Sequence, residues 1–245
     1  MSVLLVAHGT RSPHGVAVIG DLAAAMRERL RVRVRVAFVD VLGPNPAEAL
    51  ASSPLDDEVT VVPAFLGRGH HVRRDLPRHL TRPGLPPTRV TDSLGPSAEI
   101  VRALADRLAQ AGRRPGDAVV LAAAGSSDPS SHADVETVAR DLAARVDAPV
   151  EVAFAAPTAA APHYRSVEAV VTAMRRRHDR VAVASHLLAP GLFQSRLDAA
   201  GADVVARPLG LHPSVLDRVC RLASLGHAPG AFDDAEVSAG GAATG

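Results

Sequence analysis

Two histidines and one aspartate stand where apolar segments end in the first half of the chain. His8 follows one apolar run, Asp40 follows a second, and His71 follows a third run and a glycine-containing turn. Two imidazoles and a carboxylate, with further positions left open, can bind divalent iron, cobalt, nickel or zinc. A neutral imidazole also accepts protons near neutral pH. Metal binding and proton transfer are therefore both open to these residues.

The chain repeats itself, and the second copy lacks these three polar side chains. The aligned segments are 3–10 with 119–126, 36–40 with 152–156 and, after a further shift of six residues, 65–71 with 187–193. The second copy has Ala124 for His8, Ala156 for Asp40 and Phe193 for His71. A scaffold that folds without these groups in one half does not need them for folding in the other. We therefore predict that they carry chemistry in the first half.

A purely structural role is an alternative for each residue. His8 could satisfy backbone groups at a turn in which Gly9 takes a positive φ. Asp40 could cap a turn or pair with an arginine, and the role given to His71 could belong to its neighbour His70. His186 follows a strand of the second half, where it either faces a cleft between the halves or packs in the core.

Composition excludes several classes of function. All 27 basic residues are arginine, so a Walker A loop and a lysine Schiff base are excluded. A net charge of +1 and 2% aromatic residues argue against nucleic-acid binding. The single cysteine, Cys220, excludes an internal disulfide and an iron–sulfur motif built on paired cysteines. Without a basic leader or an apolar stretch of about 18 residues, we expect a cytoplasmic protein that does not bind membranes.

Strand and helix patterns alternate along the chain, which predicts an α/β fold. Apolar runs near 3–7, 32–39 and 59–66 predict buried parallel strands, and helical periodicity separates them. We predict two similar, doubly wound parallel-sheet lobes that arose by internal duplication. The predicted domains are 1–112, which carries the metal site, 117–225, a degenerate repeat, and 226–245, a mobile tail. Ligands bind beyond the carboxyl ends of such strands, so His8, Asp40 and His71 can converge.

Four motifs in order along the chain resemble a known family. They are 6–11 (VAHGTR), 63–77 (PAFLGRGHHVRRDLP), 124–129 (AGSSDP) and 188–191 (LAPG). Together they are similar to the sirohydrochlorin chelatases, which insert cobalt or iron in cobalamin and siroheme synthesis. The resemblance implies a fold like that of class II chelatases, with the tetrapyrrole between the lobes. It also implies that His8 and His71 bind the metal and that Asp40 stands where the family usually has Glu.

The resemblance further implies a reaction and a set of substrate contacts. Two pyrrole N–H protons would be exchanged for Fe²⁺ or Co²⁺, the metal being a substrate, without ATP. Some long members of the family add an iron–sulfur motif, which this chain lacks, so we expect no iron–sulfur cluster. Sirohydrochlorin carries eight carboxylates, and guanidinium groups pair with carboxylates through two hydrogen bonds. The candidate clamps are Arg11, Arg68 and Arg73 in the first lobe and Arg196 in the second. The alternative for each is an ordinary solvated charge.

Two other functions compete with metal insertion. A tetrapyrrole or metal carrier on the same scaffold would use the same ligands. A phosphoryl transferase of the histidine-phosphatase kind is suggested weakly by residues 5–10, although Ala7 stands where such an enzyme has arginine. The sequence does not distinguish iron from cobalt, and it predicts no oligomeric state.

Overall fold

The computed structural model describes residues 2–52, 54, 58–159, 162 and 164–226. Within this part the backbone of His71 is described, whereas its side chain is not. The tail predicted to be mobile lies outside the described residues except for Gly226. No helix in the described ranges is both long and apolar enough to cross a lipid bilayer.

The first half forms a four-stranded parallel sheet flanked by helices. Its elements are β1 (Ser2–Ala7), α1 (Pro13–Leu30), β2 (Arg33–Phe38), α2 (Pro46–Ala51), β3 (Val59–Pro63), a π-helix (His71–Asp75) that continues into α3 (Leu76–Leu80), β4 (Thr88–Val90) and α4 (Ala98–Gln110). The strand order is β2-β1-β3-β4. Ser12 caps the N-terminus of α1, because its Oγ accepts a hydrogen bond from the backbone N–H of Gly15.

The second half repeats this arrangement. Its elements are β5 (Ala118–Ala123), α5 (Pro129–Val146), β6 (Val150–Phe154), α6 (Val167–Arg175), β7 (Val181–His186), α7 (Leu192–Asp198), β8 (Val204–Val205) and α8 (Pro213–Leu225). The strand order β6-β5-β7-β8 matches that of the first sheet. The predicted α/β fold with two parallel-sheet lobes is confirmed.

Strand pairing in the two sheets has the register that the sequence repeat predicts. Val3 pairs with Val34 in the first sheet, and Val119 pairs with Val150 in the second, so both partners are shifted by 116 residues. Val3 also pairs with Thr60, and Val119 also pairs with Ala182. These two partners are 122 residues apart, which is the spacing of 116 plus the predicted extra shift of six. The likeness between the halves therefore extends to individual hydrogen-bonded pairs.

The last helix of each half packs against the other half. α4 contacts α5 and β7, whereas α8 contacts α1 and β3. The largest cluster of buried apolar side chains includes Leu5 of the first sheet and Leu121 of the second, so one core runs through both lobes. This shared packing gives the two sheets a common, fixed interface at which a cleft can form.

Candidate functional site between the lobes

The turn after β1 explains why His8 is followed by glycine. Gly9 has φ +100°, and a Cβ atom on it would lie 2.1 Å from the carbonyl oxygen of Asp40. Gly125 in the matched turn has φ +112°, with a corresponding distance of 2.2 Å to the carbonyl oxygen of Ala156. Glycine is therefore required at both positions by backbone conformation and by close approach.

His8 lies at the edge of the first sheet, where it faces the second lobe. Its carbonyl oxygen accepts a hydrogen bond of 3.0 Å from the backbone N–H of Asp40, which places the ends of β1 and β2 side by side. The imidazole is exposed, and its Nδ1 lies 3.2 Å from the carbonyl oxygen of Gly9. His8 thus combines a fixed backbone with an accessible ring.

Two adjoining cavities lie between the lobes, and His8 forms part of the wall of both. Their volumes are about 530 and 360 Å³, within the range of roughly 300–1,000 Å³ that small-molecule sites occupy. Residues from both lobes line both cavities: His8, Phe65, Leu66, Ala124, His186 and Phe193. The site is mainly apolar, with imidazoles contributed by both lobes.

The rim of the larger cavity exposes large apolar side chains. Val41 comes from the first lobe, while Leu192 and Phe193 come from the second, and Leu192 is 66% exposed. Apolar side chains that remain exposed around a groove are typical of ligand-binding surfaces. An extended apolar ligand could therefore contact both lobes here.

Asp40 lies beside His8 along the backbone, yet its side chain serves a turn. Asp40 is exposed, and its Oδ1 accepts a hydrogen bond of 2.7 Å from the N–H of Val41, which has a positive φ of 69°. Asp40 is absent from the described residues that line either cavity. The turn-capping interpretation accounts for the contacts of Asp40 in this conformation.

The segment with His70 and His71 enters a π-helix, a rare form often found at functional sites. His70 lines the smaller cavity, and its Nε2 lies 3.9 Å from Oδ1 of Asp75. His71 begins the π-helix, but its side chain lies outside what the structure describes. Among the described side chains, no group of three or more His, Cys, Asp or Glu residues is arranged to hold a metal ion. The metal set of His8, Asp40 and His71 therefore stays a prediction.

The four candidate arginines have different surroundings. Arg11 is exposed on the wall of the larger cavity. Arg196 donates to the carbonyl oxygen of Ala155, and its Cζ lies 5.8 Å from the ring centre of Phe193, within reach of a cation–π contact. Of these two, Arg11 has the more direct access to a ligand.

Arg68 and Arg73 both reach across to the second lobe. Arg68 forms an ion pair with Asp134 of α5, with 2.7 Å between Nη2 and Oδ1. The hydrogen bond from Arg68 to this carboxylate raises the pKa of the guanidinium. Arg73 donates to Oγ of Ser130 at 2.6 Å. Two of the predicted clamps thus have protein partners in this conformation.

His186 ends β7 and is buried, with 5% of its surface exposed. Its Nε2 has no hydrogen-bond partner within the described part of the chain. Burial lowers the pKa of His186 to about 4, although the negative charge of Asp134 acts in the opposite direction. The ring is therefore neutral at physiological pH, and it forms part of the wall shared by both cavities.

A comparison with models of protein families identifies the family of this chain. The family model CbiX matches residues 2–111 and 118–224, which is most of both lobes. The chain belongs to the CbiX family. The resemblance to the sirohydrochlorin chelatases drawn from four motifs is confirmed at the level of the family.

Relatives of this CbiX-family chain include a named enzyme and two solved structures. The sirohydrochlorin cobaltochelatase of Methanothermobacter thermautotrophicus is 36% identical over 83 residues, which are 33% of this chain and 57% of that protein. The matched region therefore spans little more than half of the relative. SirB from Bacillus subtilis with Fe³⁺ has a TM-score of 0.75 at 20% identity, covering 92% of this chain and 94% of SirB. CbiX, the terminal enzyme of siroheme biosynthesis in denitrifying bacteria, has a TM-score of 0.68 at 23% identity, covering 92% and 99%. At these identities the two structures show the shared fold.

Sequence reasoning missed two features of this CbiX-family site. Asp134 lies within the helical pattern of α5, and its position in that pattern does not indicate an ion pair with a distant arginine. Ser126, Ser127 and Ser131 line the smaller cavity, although the motif at 124–129 by itself indicates only the family. A polar loop placed opposite the first-lobe histidines could have been inferred from the repeat, because residues 8–13 and 124–129 are matched strand-end turns.

Proposed function

We propose that the protein inserts a divalent metal, Fe²⁺ or Co²⁺, into sirohydrochlorin without nucleotide hydrolysis. The observation that carries the proposal is the place of His8, an exposed imidazole on the wall shared by two cavities between the lobes. Membership of the CbiX family supports the same function, as does a relative named sirohydrochlorin cobaltochelatase. The proposed location is the cytoplasm.

The first-lobe histidines supply the chemistry that a metal ion needs. In the proposal, His8 and His71 bind the ion through neutral ring nitrogens and replace part of its water shell. A nitrogen that ligates a metal cannot hold a proton at the same time. The two pyrrole protons must therefore leave to other acceptors, such as solvent or a non-ligating imidazole. Asp40 beside His8 is proposed to assist the metal through water.

The apolar walls suit the flat face of a macrocycle. Phe65 and Leu66 from the first lobe face Phe193 from the second across both cavities. Burying a ring between such walls releases water from apolar surface and strengthens polar interactions inside the cleft. Arg11 at the larger cavity and Arg196 beside Phe193 are the proposed partners of the carboxylates.

Turnover separates an enzyme from a carrier. Purified protein would be mixed anaerobically with an excess of sirohydrochlorin and Fe²⁺ or Co²⁺, and the visible spectrum followed over time. An insertion enzyme converts many substrate molecules per protein molecule. A reaction that stops near one equivalent would replace the proposal with a carrier function.

The same assay decides which metal the protein uses. Iron and cobalt accept the same nitrogen and oxygen ligands, so metal supply rather than the ligand set often decides. Parallel reactions with Fe²⁺ and Co²⁺ at equal free concentrations give a kcat/KM for each metal. A preference for iron supports siroheme synthesis, whereas a preference for cobalt supports cobalamin synthesis.

A further inference from the structure

The loop that leads to His70 and His71 rests on helix α5 of the opposite lobe through one carboxylate. The backbone N–H of Arg68 donates to Oδ2 of Asp134 at 2.7 Å, and Nη2 of Arg68 donates to Oδ1 at 2.7 Å. Nε of Arg68 lies 3.3 Å from both oxygens. Both oxygens of Asp134 are therefore occupied by a single residue of the other lobe.

The carboxylate in this contact is buried, whereas the side chain of Arg68 is 62% exposed. The side chain of Asp134 is 2% exposed, and a buried carboxylate is costly to leave without a partner. The loop also lies directly on the carboxylate, because a Cβ atom on Gly67 would come within 3.3 Å of its Oδ2. The position of the Arg68 backbone is thereby fixed relative to α5.

A second contact holds the far end of the same segment. Arg73 follows His71 by two residues, and its Nη1 donates to Oγ of Ser130 at 2.6 Å. Ser130 and Asp134 lie one turn apart on α5. The segment with His70 and His71 is thus held at both ends by one helix of the second lobe.

We infer that Asp134 is a positioning residue, which through Arg68 fixes the loop that carries His70 and His71 at the cleft. The inference rests on the proposed function in that His71 is taken as a metal ligand. It changes the role of Arg68 from a clamp for substrate carboxylates to an interlobe tether. The second lobe, which lacks the matched histidines, then helps to set the geometry of the metal site in the first.

Arg68→Ala separates positioning from electrostatics, because the two predict opposite changes in the affinity for a cation. Removing a positive charge and exposing Asp134 should strengthen the binding of a cation if charge alone matters. Loss of positioning should instead weaken it, and we expect about a tenfold higher Kd for Co²⁺. The measurement is calorimetric or spectroscopic titration of each full-length protein with Co²⁺ alone, so it does not depend on turnover.

Milder variants keep the test valid if Arg68→Ala does not fold. Arg68→Lys keeps the charge but loses the two-pronged contact, and Asp134→Asn keeps the shape but loses the charge. Both should also weaken Co²⁺ binding, whereas the matched control Arg78→Ala, an exposed arginine of α3, should not. Circular dichroism would verify the fold of each protein.

Steady-state kinetics distinguishes a tether from a clamp. A tether lowers kcat and leaves the KM for sirohydrochlorin within about twofold of wild type. A clamp raises that KM and leaves Co²⁺ affinity unchanged. Unchanged Co²⁺ affinity in folded Arg68→Ala, Arg68→Lys and Asp134→Asn would overturn the inference. Absence of turnover in wild type would instead overturn the proposed function and leave the metal titration informative.

Discussion

The two lobes have nearly the same backbone at the ends of their first strands, yet they differ in the side chains placed there. The N–H of Asp40 donates a hydrogen bond of 3.0 Å to the carbonyl oxygen of His8. In the second lobe, the N–H of Ala156 donates one of 2.9 Å to the carbonyl oxygen of Ala124. The turn therefore forms equally well with an imidazole or a methyl group. What the fold requires is the following glycine, so the imidazole of His8 is not needed to form the turn.

The second lobe also has an imidazole at a strand end where the first lobe has none. His186 ends β7 in the second lobe, and Ala64 occupies the matched place after β3 in the first. Both His8 and His186 line the two cavities, one from each lobe. The second lobe is therefore not simply an apolar copy, because it contributes a different imidazole from a different strand.

Contacts between the lobes are matched in position and different in chemistry. The first-lobe loop contacts α5 through Arg68 and Asp134, an ion pair. The matched second-lobe loop contacts α1 where a Cβ atom on Gly15 would lie 2.7 Å from the carbonyl oxygen of Pro190. One side of the cleft is thus held by charge and the other by close packing, which suggests that each side can be perturbed separately.

The largest expected effect comes from removing the imidazole that distinguishes the lobes. We expect His8→Ala to lower the rate of metal insertion by about 100-fold or more while the protein still folds, because the second lobe already has alanine there. His71→Ala should behave in the same way. Insertion rates measured with excess metal, with circular dichroism for the fold, test both variants.

A transfer variant sharpens this comparison. Ala124 also lines both cavities, so His8→Ala combined with Ala124→His moves the imidazole across the cleft. We expect no rescue, since the second lobe has Phe193 at the place that matches His71, so the new ring would lack a second imidazole in the matched position. His178→Ala, at an exposed histidine remote from the lining residues, serves as the control. Wild-type turnover in His8→Ala, or full rescue by Ala124→His, would contradict the assignment.

Much of the fold was predictable because it depends on local patterns. The sequence repeat predicted two similar lobes, and the pairs Val3–Val34 and Val119–Val150 accordingly stand at the same spacing in the two sheets. Helix α2 was missed although Asn45 and Glu48 form a capping box at its start. Its six residues are too few for periodicity to reveal it.

The site was predictable only where it coincides with strand ends. His8 lies at such an end and lines the cleft, whereas the ion pair of Arg68 with Asp134 joins residues 66 positions apart. Such a pair depends on how the lobes dock. Docking depends on side-chain packing across the whole interface, which no short pattern encodes.

Perturbing the close-packed side of the cleft should cost stability. In Gly15→Ala the new methyl group would meet Cγ2 of Thr10 at 2.6 Å and the carbonyl oxygen of Pro190 at 2.7 Å. We expect a loss of about 1–3 kcal/mol in the free energy of unfolding. Gly20→Ala in the same helix has nothing within 4 Å, so it should gain about 0.5–1 kcal/mol. Urea unfolding of both variants tests the contrast, and equal effects would show that Pro190 does not press on α1.

The buried imidazole of the second lobe should make stability depend on pH. An unfolded histidine binds a proton as the pH falls through about 6.5, whereas folded His186 stays neutral until about pH 4. The unfolded state thus binds more protons in this window, and stability falls as the pH falls. This residue alone should account for about 2 kcal/mol between pH 7.5 and pH 5. His186→Leu should remove that part of the change in urea unfolding, while the contribution of His212, whose pKa burial also lowers, remains. An unaltered pH dependence in the variant would show that His186 has the same pKa in the folded and the unfolded protein.

The smallest effect is expected at Asp40, the one predicted ligand whose described contacts are those of a turn. Its carboxylate bonds to the N–H of Val41, so Asp40→Ala should cost about 1 kcal/mol of stability. We expect insertion to slow far less than in His8→Ala, because the carboxylate is exposed and is proposed to act on the metal through water. Asp40→Glu should keep most of the activity, since it keeps a carboxylate beside His8. If Asp40→Glu instead abolished insertion while Co²⁺ affinity fell, the carboxylate would be a direct ligand at a tightly set distance. The first lobe would then differ from the second by a three-residue metal site rather than by its histidines alone.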